Sequence, residues 1–253
     1  MSSADKIIKA LQVLKQPGAL SGFFKWKPFS LSSFQLNATV ARHQAAFQTI
    51  LDIGANEGQF ALAAAHRFPM ARIYSFEPVP DIFRSLSDNV KGKKQVEPYN
   101  CAVGSTNGQI KFYRNSYSQI SSALPIHKDN KHPNYDQSEI QIIDVELCRL
   151  DDLAMQLEIK PPVLLKMDAQ GLEKEILTGA RNLLPRIDYI MFEASFVHLY
   201  DGQPLFDEMH AYVKELGFQF VAPLDVHIGK DSVIIEMDVL YQRCKSEAVS
   251  NEH

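Results

Sequence analysis

Thr49-Ile50-Leu51-Asp52-Ile53-Gly54-Ala55-Asn56-Glu57-Gly58 carries a strand-forming run into a turn with two glycines. Apolar residues fill that run with little interruption, as in a strand buried on both faces. Gly54 ends it, and residues 58–67 follow with Phe60, Ala61, Ala64 and Ala65 at helical spacing. Strand, turn and helix in that order predict the opening unit of an α/β sheet. Ligands of such sheets bind outside the carboxyl ends of the strands, so this turn is the first candidate site.

The same alternation continues outward. Arg72-Ile73-Tyr74-Ser75-Phe76 reads as a second strand and Glu77-Pro78-Val79-Pro80 as its exit turn. Ile82, Phe83, Leu86 and Val90 mark a helix, and residues 96–100 a third strand. Two helical crossovers favour parallel strands covered on both faces. Residues 163–168 resume the buried-strand pattern, and Leu172, Ile176, Leu177, Ala180, Leu183 and Leu184 predict one long helix after them. Residues 189–193 form another strand, and Phe206, Met209, Val213 and Leu216 a helix ending at Gly217. Residues 218–222 and about 233–242 are the last two strands. Between these halves, residues 109–114 and 140–147 read as extra strands around a polar insertion, 115–138. So long a polar stretch inside a domain points to a functional or mobile loop.

The chain has 253 residues, 45% hydrophobic and 22% charged, with a formal net charge of −4. That composition excludes disorder for most of its length and gives no global attraction to nucleic acid. Cys101, Cys148 and Cys244 are far apart with no CxxC, which argues against a disulfide framework or structural zinc and fits a reducing compartment. No apolar run reaches the ~18–20 residues of a membrane helix, and Lys6 and Lys9 interrupt the early apolar stretch that a signal peptide would need. A cytoplasmic protein is expected. Residues 1–47 form an N-terminal extension, 48–244 the main domain and 245–253 a polar tail. Within the extension, Ile7, Ile8, Leu11 and Leu14 predict an amphipathic helix over residues 5–15. Phe23-Phe24-Lys25-Trp26-Lys27-Pro28-Phe29 interleaves aromatic and basic residues. Such a segment can touch a membrane surface; a lid packed on the main domain is the preferred reading. Nothing in the sequence fixes an oligomeric state.

The turn after the first strand suits a nucleoside cofactor. Gly54 and Gly58 let a ligand approach the backbone. Glu77, 19 residues beyond Gly58, can accept both hydroxyls of a ribose. A dinucleotide fingerprint would need a further glycine where Gln59 stands, and Glu57 and Asp52 put negative charge where a pyrophosphate would lie. Carboxylates suit the amino group and sulfonium of S-adenosylmethionine better than two phosphates. An NAD-dependent oxidoreductase on the same unit is the alternative enzyme, and a non-catalytic adenosyl-binding protein the alternative without chemistry.

The sequence resembles the FkbM family of S-adenosylmethionine-dependent methyltransferases over roughly residues 48–222. The resemblance rests on Leu51 to Gly58, Phe76-Glu77-Pro78-Val79-Pro80, Leu150-Asp151-Asp152-Leu153 and Leu165-Lys166-Met167-Asp168-Ala169-Gln170-Gly171-Leu172-Glu173. Gly179-Ala180, Phe192-Glu193 and Gly217-Phe218 complete the series. It implies an α/β, Rossmann-like class I methyltransferase fold: a seven-stranded, mostly parallel sheet with an antiparallel last strand, here with an N-terminal helical extension. It also implies methyl transfer, usually to a hydroxyl of a saccharide or related small metabolite. By the same resemblance Asp52, Gly54, Ala55, Asn56 and Gly58 would hold the methionine part of the cofactor, Glu77 and Pro78 the ribose side, and Cys101 and Ala102 the adenine. Gln170 departs from the pattern, since the family usually carries Glu there.

Transfer to oxygen requires the acceptor's proton to be taken. Asp168, at the end of the fourth principal strand, is the first candidate for base, substrate anchor or metal ligand, with the capping of the following helix as its structural alternative. Glu193 ends the fifth strand at the same edge, or pairs with Lys166. His198 is a further base candidate, since imidazole titrates near neutral pH. Glu173 suits the first turn of a helix. Ser121, Ser122, His127, His132 and Tyr135 populate the insertion, which could form a lid, but their spacing is no metal-binding motif.

Overall fold

The computed structural model describes residues 28–115, 118–128, 140–229 and 232–244. The helix expected at 5–15, most of the aromatic-basic segment, His132, Tyr135 and the tail lie outside the described residues.

Thr49–Ile53 (β1) and Val163–Met167 (β7) are buried along their whole length. They pair in parallel, Leu51 beside Leu165. On the other side of β1 lies Arg72–Phe76 (β2), followed by Val96–Tyr99 (β3), both parallel. Beyond β7 come Tyr189–Ser195 (β8), then Ile234–Arg243 (β10), then Phe218–Ile228 (β9) at the edge. β10 runs antiparallel to both neighbours. The seven-stranded order β3-β2-β1-β7-β8-β10-β9 is the expected sheet, with its antiparallel strand inserted before the edge. The chain leaves β1 in one direction and returns to β7 on its other side. This is the switch point at which open sheets of this kind form a crevice.

Alternate residues of the buried strands feed two apolar layers. Ile50, Ile73, Leu164, Met191 and Leu240 pack against Leu31–His43 (α1), Gln59–Arg67 (α2) and Leu86 of Pro80–Asn89 (α3). Leu51, Leu165, Phe192, Val239 and Tyr241 pack against Leu150–Ala154 (α4), Glu173–Thr178 (α5) and Phe206–Glu215 (α6). A smaller sheet joins Ala102–Gly104 (β4), Gln141–Arg149 (β6) and Gly108–Arg114 (β5), which contribute Val103, Val145 and Phe112 to that second layer.

One expectation changes. The long helix over residues 172–184 is instead the six-residue α5, followed by turns. Gly179 packs so close to Gly104 that a side chain there would enter the Gly104 carbonyl oxygen. The buried Asp151 carboxylate then accepts the amides of Asn182 and Leu183, which satisfies that backbone without helical bonds. The described end of the extension packs with the main core. Val40, Ala41 and Phe47 share a cluster with Ile50 and Phe60. The Ser30 hydroxyl caps α1 by accepting the Ser33 amide at 3.2 Å. Among the described residues, no helix is long and apolar enough to cross a membrane.

Candidate active site

A cavity of about 490 Å³ opens at the carboxyl ends of β1, β2, β7 and β8. Its first wall is the turn after β1. Gly54 has φ +73°, and a Cβ on it would run into the carbonyl oxygen of Asp168. The Asp168 amide in turn donates to the Ile53 carbonyl at 3.0 Å. Close backbone approach between two strand ends thus demands this glycine. Ala55 and Asn56 line the cavity beside it, whereas Gly58, at φ +94°, starts α2 under Leu86 and stands behind the wall.

Asp52 is not in the wall. Its side chain is fully buried, and Lys166 Nζ lies 3.0 Å from its Oδ1. The same ammonium donates to the carbonyls of Ile53 and Gly54 at 3.2 and 3.0 Å. Asp52 and Lys166 are direct neighbours across β1 and β7, so the pair knits the floor. Lys166 also lies 3.9 Å from Asp168 Oδ2, so the anticipated pairing with Glu193 is replaced by Asp52 and, at longer range, Asp168.

Glu77, 6% exposed, sits where β2 ends. Its Oε2 accepts the Asn56 amide at 2.9 Å and its Oε1 the Val79 amide at 2.9 Å. One carboxylate thereby ties the β2 exit to the glycine turn. Burial pushes its pKa up to about 7, against the opposing pull of those two N–H groups. The Asn100 side chain donates to the Glu77 and Pro78 carbonyls at 2.9 and 3.1 Å, holding the next segment alongside. Pro78, Val79, Ile82, Cys101, Ala102 and Phe112 then form an apolar slot.

Opposite this slot, Asp168 presents a side chain 47% exposed. Its Oδ1 accepts the Gln170 amide nitrogen at 2.9 Å, and the same nitrogen donates to Glu193 Oε2 at 3.3 Å. Tyr200 Oη lies 2.7 Å from Gln170 Oε1 and donates to it. Gln170 itself has φ +51°. Its loop is held from within, since the buried Glu173 carboxylate accepts the amides of Ala169 and Gly171 at 3.0 and 3.1 Å. Glu173, not Asp168, caps this turn, which leaves Asp168 facing the cavity. Burial raises the Glu173 pKa to about 7. The insertion adds a cover: Ser118, Gln119, Ile120 and Ser121 line the cavity, and Ser122 Oγ donates to the Gln170 carbonyl at 2.7 Å.

Several lining groups escaped sequence reasoning. Ser30, Ser32, Ser33 and Leu36 come from α1 and its cap, Asp225 and His227 from β9, and Glu236 and Asp238 from β10. Burial raises Glu236 and Asp238 to about 7, with the nearby Asp168 carboxylate adding to both, and lifts Glu193 well above the ordinary range, with Glu236 adding to it; a hydrogen bond with Glu193 pulls Glu236 the other way. The signal for α1 was present as Ser30 followed by Phe34, Asn37, Val40 and Ala41 on one helical face. His198 is brought elsewhere: it is exposed, its ring 5.7 Å from that of His127, and it does not line the cavity. Among the described residues, no group of three or more His, Cys, Asp or Glu side chains is arranged to hold a metal ion.

The cavity's residues suit S-adenosylmethionine. A fixed carboxylate stands for ribose hydroxyls, an apolar slot for a base, and further carboxylates for a cationic end. A pyrophosphate fits poorly, because among the described residues the sole lining Lys or Arg is Lys166, whose ammonium is taken by Asp52 and two carbonyls.

The family described as the methyltransferase FkbM domain matches residues 52–220. The 2-O-methyltransferase NoeI of Sinorhizobium fredii is 29% identical over 160 residues, 61% of this chain and 66% of that protein. The hexuronic acid methyltransferase AglP of Haloferax volcanii is 27% identical over 143 residues, 56% of this chain and 54% of that protein. The matched region thus spans about half to two thirds of these relatives. A Klebsiella pneumoniae crystal structure, of a protein assigned as an O-methyltransferase, superposes with a TM-score of 0.50 at 11% identity, over 85% of this chain and 81% of that one.

Proposed function

The chain belongs to the FkbM methyltransferase family, and from that membership we propose that it is an S-adenosylmethionine-dependent O-methyltransferase whose acceptor is a hydroxyl of a saccharide or related small metabolite. The observation that carries the reading is the pair of carboxylates flanking the crevice: Glu77, fixed by two amides beside the glycine turn, and Asp168, open to the cavity across from it.

In this reading Glu77 holds the ribose hydroxyls, the slot from Pro78 to Ala102 holds the adenine, and the Gly54 to Asn56 backbone with Asp168 borders the methionine end. When bound, the cofactor supplies an electrophilic methyl group on a sulfonium, whose carbon–sulfur bond breaks as the acceptor's carbon–oxygen bond forms. Asp168 receives the acceptor hydroxyl and takes its proton. Gln170 fixes the orientation of that carboxylate, and the neutral amide adds no charge to it. Ser118 to Ser121 and α1 close the cavity and exclude water, so that alignment supplies much of the rate. The O-methyltransferase and sugar-acid methyltransferase names among the relatives support oxygen as the acceptor atom.

The test is incubation with methyl-labelled S-adenosylmethionine and fractionated glycans or lipid-linked saccharides of the host. Label in an acid-stable methyl ether is expected. Cofactor binding without label in any fraction would leave only a binding protein.

A further inference from the structure

Tyr200 is 2% exposed and lines the cavity from the loop after β8. Its backbone is pinned from two sides. Gln203 Oε1 accepts the Leu199 and Tyr200 amides at 3.1 and 3.3 Å, and Gln203 Nε2 donates to Ser195 Oγ of β8 at 2.7 Å. Towards the insertion, Tyr200 bridges to Ile126, and the amides of His127 and Asp201 donate to the carbonyls of Leu199 and Pro125. The phenol is thus delivered to a fixed point beside Gln170.

Gln170 needs such a reference. Its backbone is held, since its carbonyl accepts the Ser122 hydroxyl and the amides on either side go to Glu173. Which end of its side-chain amide faces which neighbour is a separate matter, because the two ends have nearly the same shape. Asp168, when ionised, accepts only from the nitrogen. Glu193 does not decide: burial lifts its pKa well above the ordinary range, and a protonated carboxyl donates where an ionised one accepts. Tyr200 does. Burial, with Glu236, Glu193, Asp168 and Glu173 around it, pushes its pKa up, so the hydroxyl keeps its proton. Two acceptors are in reach, Gln170 Oε1 at 2.7 Å and the Ile120 carbonyl of the insertion at 3.2 Å. Turning the amide over would leave the phenol only the longer bond to donate and put an oxygen against Asp168 Oδ1.

We propose that Tyr200 is a positioning residue for the transfer: its hydroxyl locks the Gln170 amide with the nitrogen toward Asp168, so that an N–H aims the carboxylate that receives the acceptor hydroxyl. The proposal rests on the methyltransferase reading above, with Asp168 as the base, and deepens it. Tyr200 exchanges no proton in the reaction; it acts through Gln170 and ties the base to the cover of the cavity.

The experiment uses the full chain, methyl-labelled S-adenosylmethionine and saccharide fractions of the host, with Tyr200→Phe, Gln170→Ala and the double variant. Phenylalanine keeps the ring and removes the hydroxyl alone. Tyr200→Phe should form labelled product about fivefold more slowly or worse, the loss of one buried hydrogen bond. The acid limb of its pH–rate profile should move to higher pH, as for a carboxylate that loses a donor, with S-adenosylmethionine affinity by calorimetry unchanged. Adding Tyr200→Phe to Gln170→Ala should cost nothing more, because the hydroxyl then has no amide to set. A wild-type rate and profile in Tyr200→Phe overturns the proposal, as does an equal loss in both backgrounds or a cofactor affinity that falls with the rate. A second readout leaves Tyr200 in place. In NMR of the chain with isotope-labelled glutamine, the side-chain NH2 signal that vanishes in Gln170→Ala should shift with pH in the unaltered protein and not in Asp168→Asn. A signal blind to pH means that the amide is turned the other way, and overturns the proposal even where Tyr200→Phe does not fold. Labelled cofactor retained by the wild type with no labelled product sinks the methyl-transfer reading, and the proposal with it.

Discussion

The Gln170 amide nitrogen stands 2.9 Å from Asp168 Oδ1, and its own oxygen receives the Tyr200 hydroxyl at 2.7 Å. A neutral side chain therefore orients the exposed carboxylate in a pocket already crowded with acids. Replacing it by Glu removes the donor and adds a charge. Turnover of Gln170→Glu at pH 7 should fall about tenfold or more, since a hydrogen bond to a charged group is worth roughly 1.5–3 kcal/mol. The added negative charge favours the protonated form of its neighbours, so the acid limb of the pH–rate profile should move to higher pH. An unmoved profile would show that Gln170 has no such influence on the base.

Glu77 is expected to join cofactor affinity to loop order. In Glu77→Gln one of the two backbone amides, from Asn56 or Val79, faces a donor instead of an acceptor. Calorimetry should show S-adenosylmethionine binding weakened by about 10- to 100-fold, the equivalent of losing one charge-assisted bond of roughly 1.5–3 kcal/mol. Wild-type affinity would remove Glu77 from the cofactor site.

The Lys166–Asp52 pair predicts a stability effect. Lys166→Met leaves a fully buried carboxylate without its cation, a loss of about 3–5 kcal/mol. Denaturant unfolding should give that drop, and the double variant Lys166→Met, Asp52→Asn should recover a substantial part of it. No recovery would mean that the ammonium matters mainly for the Ile53 and Gly54 carbonyls.

Glu173 should make stability depend on pH. Its folded pKa is raised from the ordinary 4.5 to about 7 by burial. The folded state thus binds the proton more tightly, a stabilisation present in full below about pH 4.5 and lost as pH rises through about 7. For this buried group the amount is on the order of 3 kcal/mol. Unfolding free energies measured from pH 5 to 8 should therefore fall less steeply in Glu173→Gln than in the wild type. Equal slopes would place the proton elsewhere.

Two glycines should fail differently. Gly179→Ala drives a methyl group into the Gly104 carbonyl, away from the cavity. It should cost about 1–3 kcal/mol of stability with cofactor affinity kept. Gly54→Ala collides with Asp168 and also needs a positive φ, so it should lose both. Equal cofactor affinity in the two variants would contradict the placement of Gly54.

Local pattern carried the sheet, the glycine turn and the carboxylates at strand ends. A buried strand is an unbroken apolar run, and a strand end next to a turn is visible in the chain itself. Family motifs alone could not say what each residue does. Asp151 looks equivalent to Asp168 in a motif, yet one caps backbone amides beside α5 and the other faces the cavity. Asp52 looked like a ligand group, but its alternation puts it on the face under α2, against Lys166.

The individual strands, the glycine turn and the Glu77 turn follow from residues close together in the chain, where periodicity and turn chemistry act. The far wall of the cavity does not. α1, the insertion, β9 and β10 meet there from opposite ends of the chain, and their register places Glu193, Asp238 and Asp225 in one row. Carboxylates that are unremarkable in separate strands come to line one cavity only when long-range pairing brings them together and removes them from water.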